Sequence, residues 1–400
     1  MKISFNFNKY KFPNSWSKVK LKECLLLTER PVIMEDDTEY KLVTVKRNFG
    51  GIQKRSIQKG KDILVKSQFI INSGDFVISK RQIAHGACGI VPTELDNSIV
   101  SNEYNVFVTK ENLNLYFFNY YVQLPFVKRY FYISSDGVHI EKLLFKTNDW
   151  LNRYIVIPSL REQEKIVDLL STWDLAIDKQ HQLIAKKKEF KEGLMHKLLC
   201  GKVRCKGFTD EWKVVKLGDI FKERKETGFN NLELLAITTA NGVVRRTEVD
   251  VKDNSSEDKS KYKRILPGDI GYNTMRMWQG VSGLSKYEGI VSPAYTILKP
   301  VKNIDSLYMA YLFKSPAVIN LFYRYSQGLV SDTLNLKYDN FKDIKVNIPS
   351  DIKEQIKIAE VLNTVDKEIE LLQKELEALK LQKKGLMQRL LTGEVRVKVD

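Results

Sequence analysis

Arginine, glutamine and asparagine can form paired hydrogen bonds with base edges, Arg with guanine and Asn or Gln with adenine. Two short stretches of this chain concentrate them. One reads Lys80-Arg81-Gln82-Ile83-Ala84-His85-Gly86, the other Asn273-Thr274-Met275-Arg276-Met277-Trp278-Gln279-Gly280. The candidates for base reading are Lys80, Arg81, Gln82 and His85 in the first, and Asn273, Arg276, Trp278 and Gln279 in the second. Neutralising phosphates without reading sequence is the work of plain lysine and arginine. Candidates for it are Lys46-Arg47 and Lys54-Arg55 around Asn48-Phe49-Gly50-Gly51, then Arg245-Arg246, and Lys259, Lys261, Lys263 and Arg264.

The bulk charge points the same way. The chain has 400 residues, a formal charge of +16 and 43% apolar content, enough for two to three domains with real cores. Such a basic excess favours a polyanionic partner, and duplex DNA is the commonest. No apolar run approaches the roughly 20 residues of a membrane span. The N-terminus alternates polar residues with Ile3, Phe5 and Phe7 and has no signal-peptide core. Four cysteines imply no disulfide framework, so a cytoplasmic protein is expected.

Catalytic motifs are missing. There is no glycine-rich cofactor loop with an Asn/Asp-Pro-Pro-aromatic tetrad, and no Gly-x-x-x-x-Gly-Lys-Ser/Thr phosphate loop. Glu-x-Lys triplets at Glu39, Glu189 and Glu223 lack a convincing upstream aspartate. His196, Cys200 and Cys205 cluster near one helix end, but Gln388, Thr392 and Val397 stand at the repeat-related positions, which argues against zinc. His85 with Cys88 lacks the further partners of a metal or nucleophile site. No catalytic residue, metal or cofactor is expected on this chain.

What must position the candidate readers is a duplicated frame. From Glu162 to Arg204 the chain repeats without a gap at Glu354 to Arg396, with about 18 of 43 positions identical. Ile166, Leu170, Trp173, Ile177, Ile184, Phe190, Leu194 and Leu198 mark an apolar seam in the first copy, with Gln180 and Lys187 at polar seam positions. Ile358, Leu362, Val365, Ile369, Leu372, Leu376, Leu379, Leu386 and Leu390 follow 4-3 spacing in the second, interrupted by Lys383. This is heptad periodicity, so two helices of about 40 residues and roughly 60 Å are expected to bury their seams as an antiparallel coiled coil. Gly201 and Gly393 are placed as C-caps.

The blocks before the helices are weakly alike. Phe12, Trp16, Val19 and Leu21 resemble Phe208, Trp212, Val215 and Leu217, and Ile99-Val100-Ser101 with Tyr104 resembles Ile290-Val291-Ser292 with Tyr295. Both contain short β-branched and aromatic runs, read as strands, and turn helical near 113–131 and 307–325. Both reading stretches follow the strand that Gly74-Asp75 or Gly268-Asp269 opens. The expected boundaries are 1–157, 158–206, 207–348 and 349–400, each globular block preceding its helix.

Taken together, Ile-Pro-x-x-x-Glu-Gln-x-Lys-Ile and a long helix ending Gly-Leu-Met-x-x-Leu-Leu-x-Gly, occurring twice, resemble the specificity subunit of type I restriction–modification enzymes. The motifs at 79–83, 99–104, 273–280 and 289–295 resemble its target-recognition domains. The resemblance implies an α+β chain of two α/β target-recognition domains, each followed by a long helix, in a pseudo-two-fold internal repeat. It implies a non-catalytic subunit reading a bipartite duplex DNA site. The seam residues Ile166, Leu170, Trp173, Ile177, Ile184, Ile358, Leu362, Val365, Ile369, Leu372 and Leu376 would pair the helices and dock two modification subunits. Those partners would bring S-adenosylmethionine and adenine methylation, and restriction subunits would bring ATP, Mg and nuclease activity. A coiled-coil scaffold with incidental basic charge is the alternative.

Overall fold

The computed structural model describes residues 11–137, 139, 143–238, 242–249, 255–301 and 303–398. The N-terminal alternation at Ile3, Phe5 and Phe7 lies outside them. The chain divides into two compact units, Met1–Gln180 with Glu375–Asp400, and His181–Lys374. The division cuts both long helices, Leu160–Leu199 and Ile352–Leu391, so each helix begins in one unit and ends in the other.

In the first unit a four-stranded sheet is ordered Leu25–Thr28, Tyr104–Thr109, Phe76–Ser79, Cys88–Ile90. A five-stranded sheet is ordered Pro31–Val32, Gln68–Ile71, Ser98–Ser101, Glu39–Val45, Ile52–Lys59. The helices Leu115–Tyr121 and Pro125–Ile133 start where the sequence supplies an Asn114 cap, accepting from Phe117 N at 3.0 Å, and a first-turn proline. Their aromatic faces build the core with Phe76, Phe107 and Trp150. Ile166 and Leu170 enter that core from the start of the first long helix, and Leu390 and Leu391 from the end of the second. Burying side chains of this size contributes about 1.5–3 kcal/mol each.

The second unit repeats the four-stranded sheet and the helix pair, and pairs Leu235–Thr238 with Gly242–Arg245 and Lys263–Ile265 with Gly289–Val291 as two-stranded sheets. Its four-stranded sheet is ordered Phe221–Glu223, Tyr295–Pro300, Ile270–Asn273, Ser282–Leu284. Asp305 and Ser315 cap the helices Ser306–Leu312 and Pro316–Tyr325. Leu198 and Leu199 share this core with Ile358 and Leu362.

Within each unit the helix segments run antiparallel. In the first, Asp174 pairs with Lys383, and Gln180 Nε2 donates to Glu375 Oε2 at 3.0 Å. In the second, Lys187 pairs with Glu368 at 2.7 Å and Lys191 with Asp366 at 2.6 Å. The polar seam residues therefore carry cross-helix contacts. Of the apolar seam, Ile184, Val365, Ile369 and Leu376 are buried, while Trp173, Ile177 and Leu372 are half-buried.

One seam assignment is corrected. Phe190 is 56% exposed, and the half-buried Lys191 takes the position four residues after Lys187. Lys191 thereby matches Lys383. Each of these lysines meets a helix aspartate that also accepts a tyrosine hydroxyl: Tyr120 to Asp174 at 2.5 Å and Tyr311 to Asp366 at 2.6 Å. Each ammonium also lies over that tyrosine ring, at 5.1 and 5.6 Å.

The Glu-Gln of the repeat has a structural use. Gln163 Oε1 accepts from Asn114 N at 2.8 Å while its Nε2 donates to Pro158 O at 3.0 Å, fastening the helix start to its domain. Gln355 does the same with Asp305 N and Pro349 O, both at 3.0 Å. Glu162 and Glu354 each receive an arginine from beyond the end of the other long helix. Gly201 and Gly393, at φ 73° and 74°, make the left-handed turns that release those arginines from the helices.

Candidate nucleic-acid interface

Both candidate stretches are the connection of a hairpin. The strand Phe76–Ser79 passes through it to Cys88–Ile90, and Ile270–Asn273 to Ser282–Leu284. The backbone of the two turns is the same bond for bond. Gln82 N donates to Ser79 O, His85 N to Gln82 O, and Gly86 N to Ile83 O at 3.2, 3.0 and 2.7 Å. Arg276 N, Gln279 N and Gly280 N donate to Asn273 O, Arg276 O and Met277 O at 3.1, 3.0 and 2.7 Å. A short 3-10 turn, Ile83–His85 or Met277–Gln279, closes on a left-handed glycine, Gly86 at φ 75° or Gly280 at φ 76°.

That identity fixes a register which motif reading alone does not supply. Gln82 stands where Arg276 does, His85 where Gln279 does, Arg81 where Met275 does and Ala84 where Trp278 does. The buried anchors Ile83 and Met277 coincide. One frame thus carries two different sets of side chains, Arg276 and Gln279 exposed in one unit and Gln82 and His85 half-buried in the other, with Gln82 Oε1 and His85 Nε2 out of solvent's reach.

The frames rest on different supports. In the first unit Asn48 N donates to His85 O at 2.8 Å and Phe49 N to Gly86 O at 2.9 Å, so the 46–51 turn is bonded to the 80–86 turn. Asn48 and Phe49 both adopt positive φ to do this, at 58° and 57°. A side chain at Gly86 would meet the Phe49 ring at 2.9 Å. Lys46 and Arg47 are exposed on this turn, and Lys54 and Arg55 on the outermost strand of the five-stranded sheet. In the second unit Gly280 faces Ile319, and Lys314 Nζ donates to Gly280 O at 2.7 Å. Burial, with Lys191 nearby, pulls the Lys314 ammonium down to about 8.

The candidate side chains are not equally placed. Arg276 and Gln279 are exposed, Asn273 is half-buried, and half-buried Trp278 is tied back by its Nε1 to Met275 O at 3.0 Å and faces Tyr323. Arg81 is exposed but forked onto Glu103 at 2.8 and 3.5 Å, which holds that carboxyl below its ordinary range. Lys80 Nζ donates to Asn102 O at 2.5 Å. Gln82 and His85 are half-buried.

Several basic candidates are engaged inside the fold. Arg264 meets Glu288 at 2.5 Å and Glu226 at 3.1 Å and stacks over Phe229. Lys263 donates to Tyr295 O at 2.7 Å, Lys259 to Ser256 O at 2.8 Å, and Arg246 Nη1 to Val249 O at 3.5 Å. Arg245 lies over Tyr287 with Glu233 at 3.6 Å. Lys261 is exposed beside them. Among the described residues no group of three or more His, Cys, Asp or Glu side chains is placed to hold a metal ion, and no helix is long and apolar enough to cross a membrane. Cys24 and Cys88 are buried, and burial pushes the Cys24 thiol up to about 11 and the Cys88 thiol further.

Residues that motif reading misses are the clasps at the helix ends. Arg396 forks onto Glu162 at 2.5 and 2.7 Å, with Trp16 Nε1 donating to the same carboxylate at 3.2 Å. Trp16 and Trp212, like Arg204 and Arg396, recur in step with the repeat, and that recurrence is the signal the sequence offers.

Comparison with known proteins matches this duplicated frame. The family profile of the type I restriction modification DNA specificity domain matches twice, over residues 13–187 and 209–381. The MjaVIII specificity subunit of a type I restriction enzyme from Methanocaldococcus jannaschii is 25% identical, covering 96% of this chain and 94% of that relative. The crystal structure of an HsdS subunit from Thermoanaerobacter tengcongensis shares the fold at TM-score 0.54 and 17% identity, covering 96% and 99% of the two chains. A chain from a structure of type I restriction–modification complex assembly and conformational transition does so at TM-score 0.61 and 16% identity, covering 96% and 100%. With two like hairpin turns, two repeated helices and two matches to one domain profile, the chain belongs to the type I restriction–modification specificity-subunit family.

Proposed function

We propose that each unit reads one half of a split duplex DNA site and that the paired helices receive two modification subunits. Those partners bind S-adenosylmethionine and methylate adenine, and restriction subunits supply ATP- and Mg-dependent cleavage. The specificity chain contributes position and sequence discrimination only, in the cytoplasm where such DNA is met. The observation that carries this reading is the pair of turns with identical backbone bonding and different side chains at the same positions. One scaffold presenting Gln82 and His85 in one unit and Arg276 and Gln279 in the other suits two unlike half-sites. A charge of +16 supplies the sequence-independent attraction.

Mapping methylated adenines in DNA from cells expressing the chain with its modification subunit tests it. A two-part motif with a fixed gap is expected. A continuous motif, or methylation that persists without this chain, would refute the reading.

A further inference from the structure

Beyond the reading turn, the second unit carries a small loop that closes on itself. Gln327 N donates to Asn335 O at 2.9 Å and Asn335 N to Gln327 O at 2.8 Å, sealing its neck. Thr333 N donates to Val330 O at 3.0 Å, and the Thr333 hydroxyl donates to the same carbonyl at 3.0 Å. Gly328 has φ 148°, and a side chain there would meet Thr333 O at 2.6 Å, so only glycine closes the loop. Leu334 inside the loop and Leu336 just past its neck are buried as anchors.

What this closed loop presents is apolar. Leu329 is 100% exposed and Val330 is 60% exposed. A single exposed leucine needs no explanation. Two adjacent aliphatic side chains at the tip of a loop whose closure needs glycine and a bonded neck are a different matter, because ordering the loop has an entropic cost and the tip gains no burial from it. The loop is also joined to the reading turn: Leu336 N donates to Thr274 O at 2.8 Å, and Tyr323 on the preceding helix meets Trp278. Met275 and Tyr323 are exposed apolar neighbours along the same elements, and the exposed Arg276 and Arg324 supply positive charge beside them.

From this juxtaposition we infer that the 328–330 tip is a wedge for duplex DNA, its Leu329 and Val330 entering a base step next to the half-site that Arg276 and Gln279 read. Aliphatic side chains between base pairs unstack them and kink the duplex. The exposed Arg324 holds a neighbouring phosphate while the bonded neck keeps the tip from folding away. The occupant is DNA and not a protein groove because the loop is bonded directly to the reading turn and flanked by positive charge. This inference rests on the DNA-reading role proposed above.

The test uses the full chain co-purified with its modification subunit and duplex probes carrying the mapped motif. One probe set is intact; in the others a mismatch is placed at each step in and beside the second half-site in turn. Leu329→Ser with Val330→Ser, at exposed positions that leave the core untouched, should weaken binding to intact duplex by about tenfold or more, because the opened step then loses the apolar filler that offsets its unstacking. Sequence preference should be kept, and a mismatch at one particular step should restore binding to within about threefold of the unsubstituted chain. Equal weakening on every probe, or no weakening on any, overturns the wedge. Loss of the modification subunit from the double variant, with intrinsic DNA affinity unchanged, would instead make the loop a protein dock and also overturns it. Arg276→Ala with Gln279→Ala run in parallel separates the two ideas, since failure to relax the second half-site defeats the reading role itself.

Discussion

Arg204 closes on Glu354 through two parallel hydrogen bonds, Nε to Oε1 at 2.5 Å and Nη2 to Oε2 at 2.7 Å, with the carboxylate side chain only 1% exposed. The residues are 150 positions apart, one just past the end of the first long helix and the other in the opening turn of the second. Arg396 repeats the fork on Glu162. A carboxylate this buried depends on its guanidinium, and removing the partner leaves a charge with no water to replace it. Arg204→Ala should therefore destabilise the second unit by about 2–4 kcal/mol, and Arg204→Lys should recover only part, because an ammonium cannot fork. Glu354→Gln in the Arg204→Ala background should return part of that stability. Denaturant unfolding with hydrogen exchange on 345–362 reads this out, and an unchanged midpoint for Arg204→Ala would remove the clasp from the account.

The shared register of the two turns sharpens the half-site experiment. Arg276→Ala with Gln279→Ala should relax the half-site of the second unit and leave the other half of the methylation motif intact. Gln82→Ala with His85→Ala, the same frame positions, should do the converse. A side chain that bonds a base edge in paired fashion is worth about 1–3 kcal/mol of discrimination. Sequencing of methylated DNA checks both, and a change in both halves from either pair would contradict one unit reading one half.

How much of this is legible in the sequence depends on whether a residue's role is local or repeated. The heptad spacing of Ile358 through Leu390 and the glycines at 201 and 393 announce the helices, because periodicity and capping are written within a few residues. Phe190 misleads because it is apolar and one position off a seam that Lys191 holds through Asp366. A lysine in a seam is explained only by its partner on another element, and Asp174 and Asp366 cannot be paired with Lys383 and Lys191 before the register is known. The same holds for Lys263 and Arg264, which look like a basic run in sequence and are ion-paired or hydrogen-bonded in the fold. Long-range pairing, not composition, decides which charges remain outward.

Lys314 gives the second unit a pH signature. Its folded pKa of about 8 lies below the ordinary lysine value, so between about 8 and 10.5 the unfolded chain binds a proton that the folded chain does not. Stability from this group therefore rises as pH climbs through that window and is lowest below it. The ammonium is partly solvated, so the gain is on the order of 1 kcal/mol. Comparing Tm for the chain and Lys314→Gln from pH 7 to 10 isolates it: the unsubstituted chain should gain on the variant as pH rises. Parallel curves would show that Lys314 is not held down by burial and Lys191.

Leu376 is buried in the seam of the first unit at 6% exposure. Placing a carboxylate there costs several kcal/mol unless the helices part. Leu376→Glu should loosen the pairing that Gln180–Glu375 and Lys383–Asp174 mark and abolish capture of the modification subunit. Co-purification tests it directly. Retention of the partner at normal stoichiometry would place the docking surface elsewhere.

The long helices also offer a test of what sets the gap between half-sites. Each begins in one unit and ends in the other, and the units divide after Gln180 and after Lys374. Four residues inserted at both points add about 6 Å of helix and a rotation of about 40° beyond one full turn. At roughly 3.4 Å per base pair that length corresponds to one or two further base pairs of spacer, fewer if the helices lie oblique to the DNA. The proposed base-reading residues are untouched, since Arg276, Gln279, Gln82 and His85 all lie on hairpin turns away from the insertion points. The half-site sequences should therefore stay the same while the spacer lengthens. A single insertion in one helix should behave differently, because Gln180–Glu375 and Lys187–Glu368 can no longer both stay paired and the seam is left mismatched on one side. Methylome sequencing of cells carrying the doubly inserted chain decides the point. An active product with an unchanged spacer would show that helix length does not set the distance.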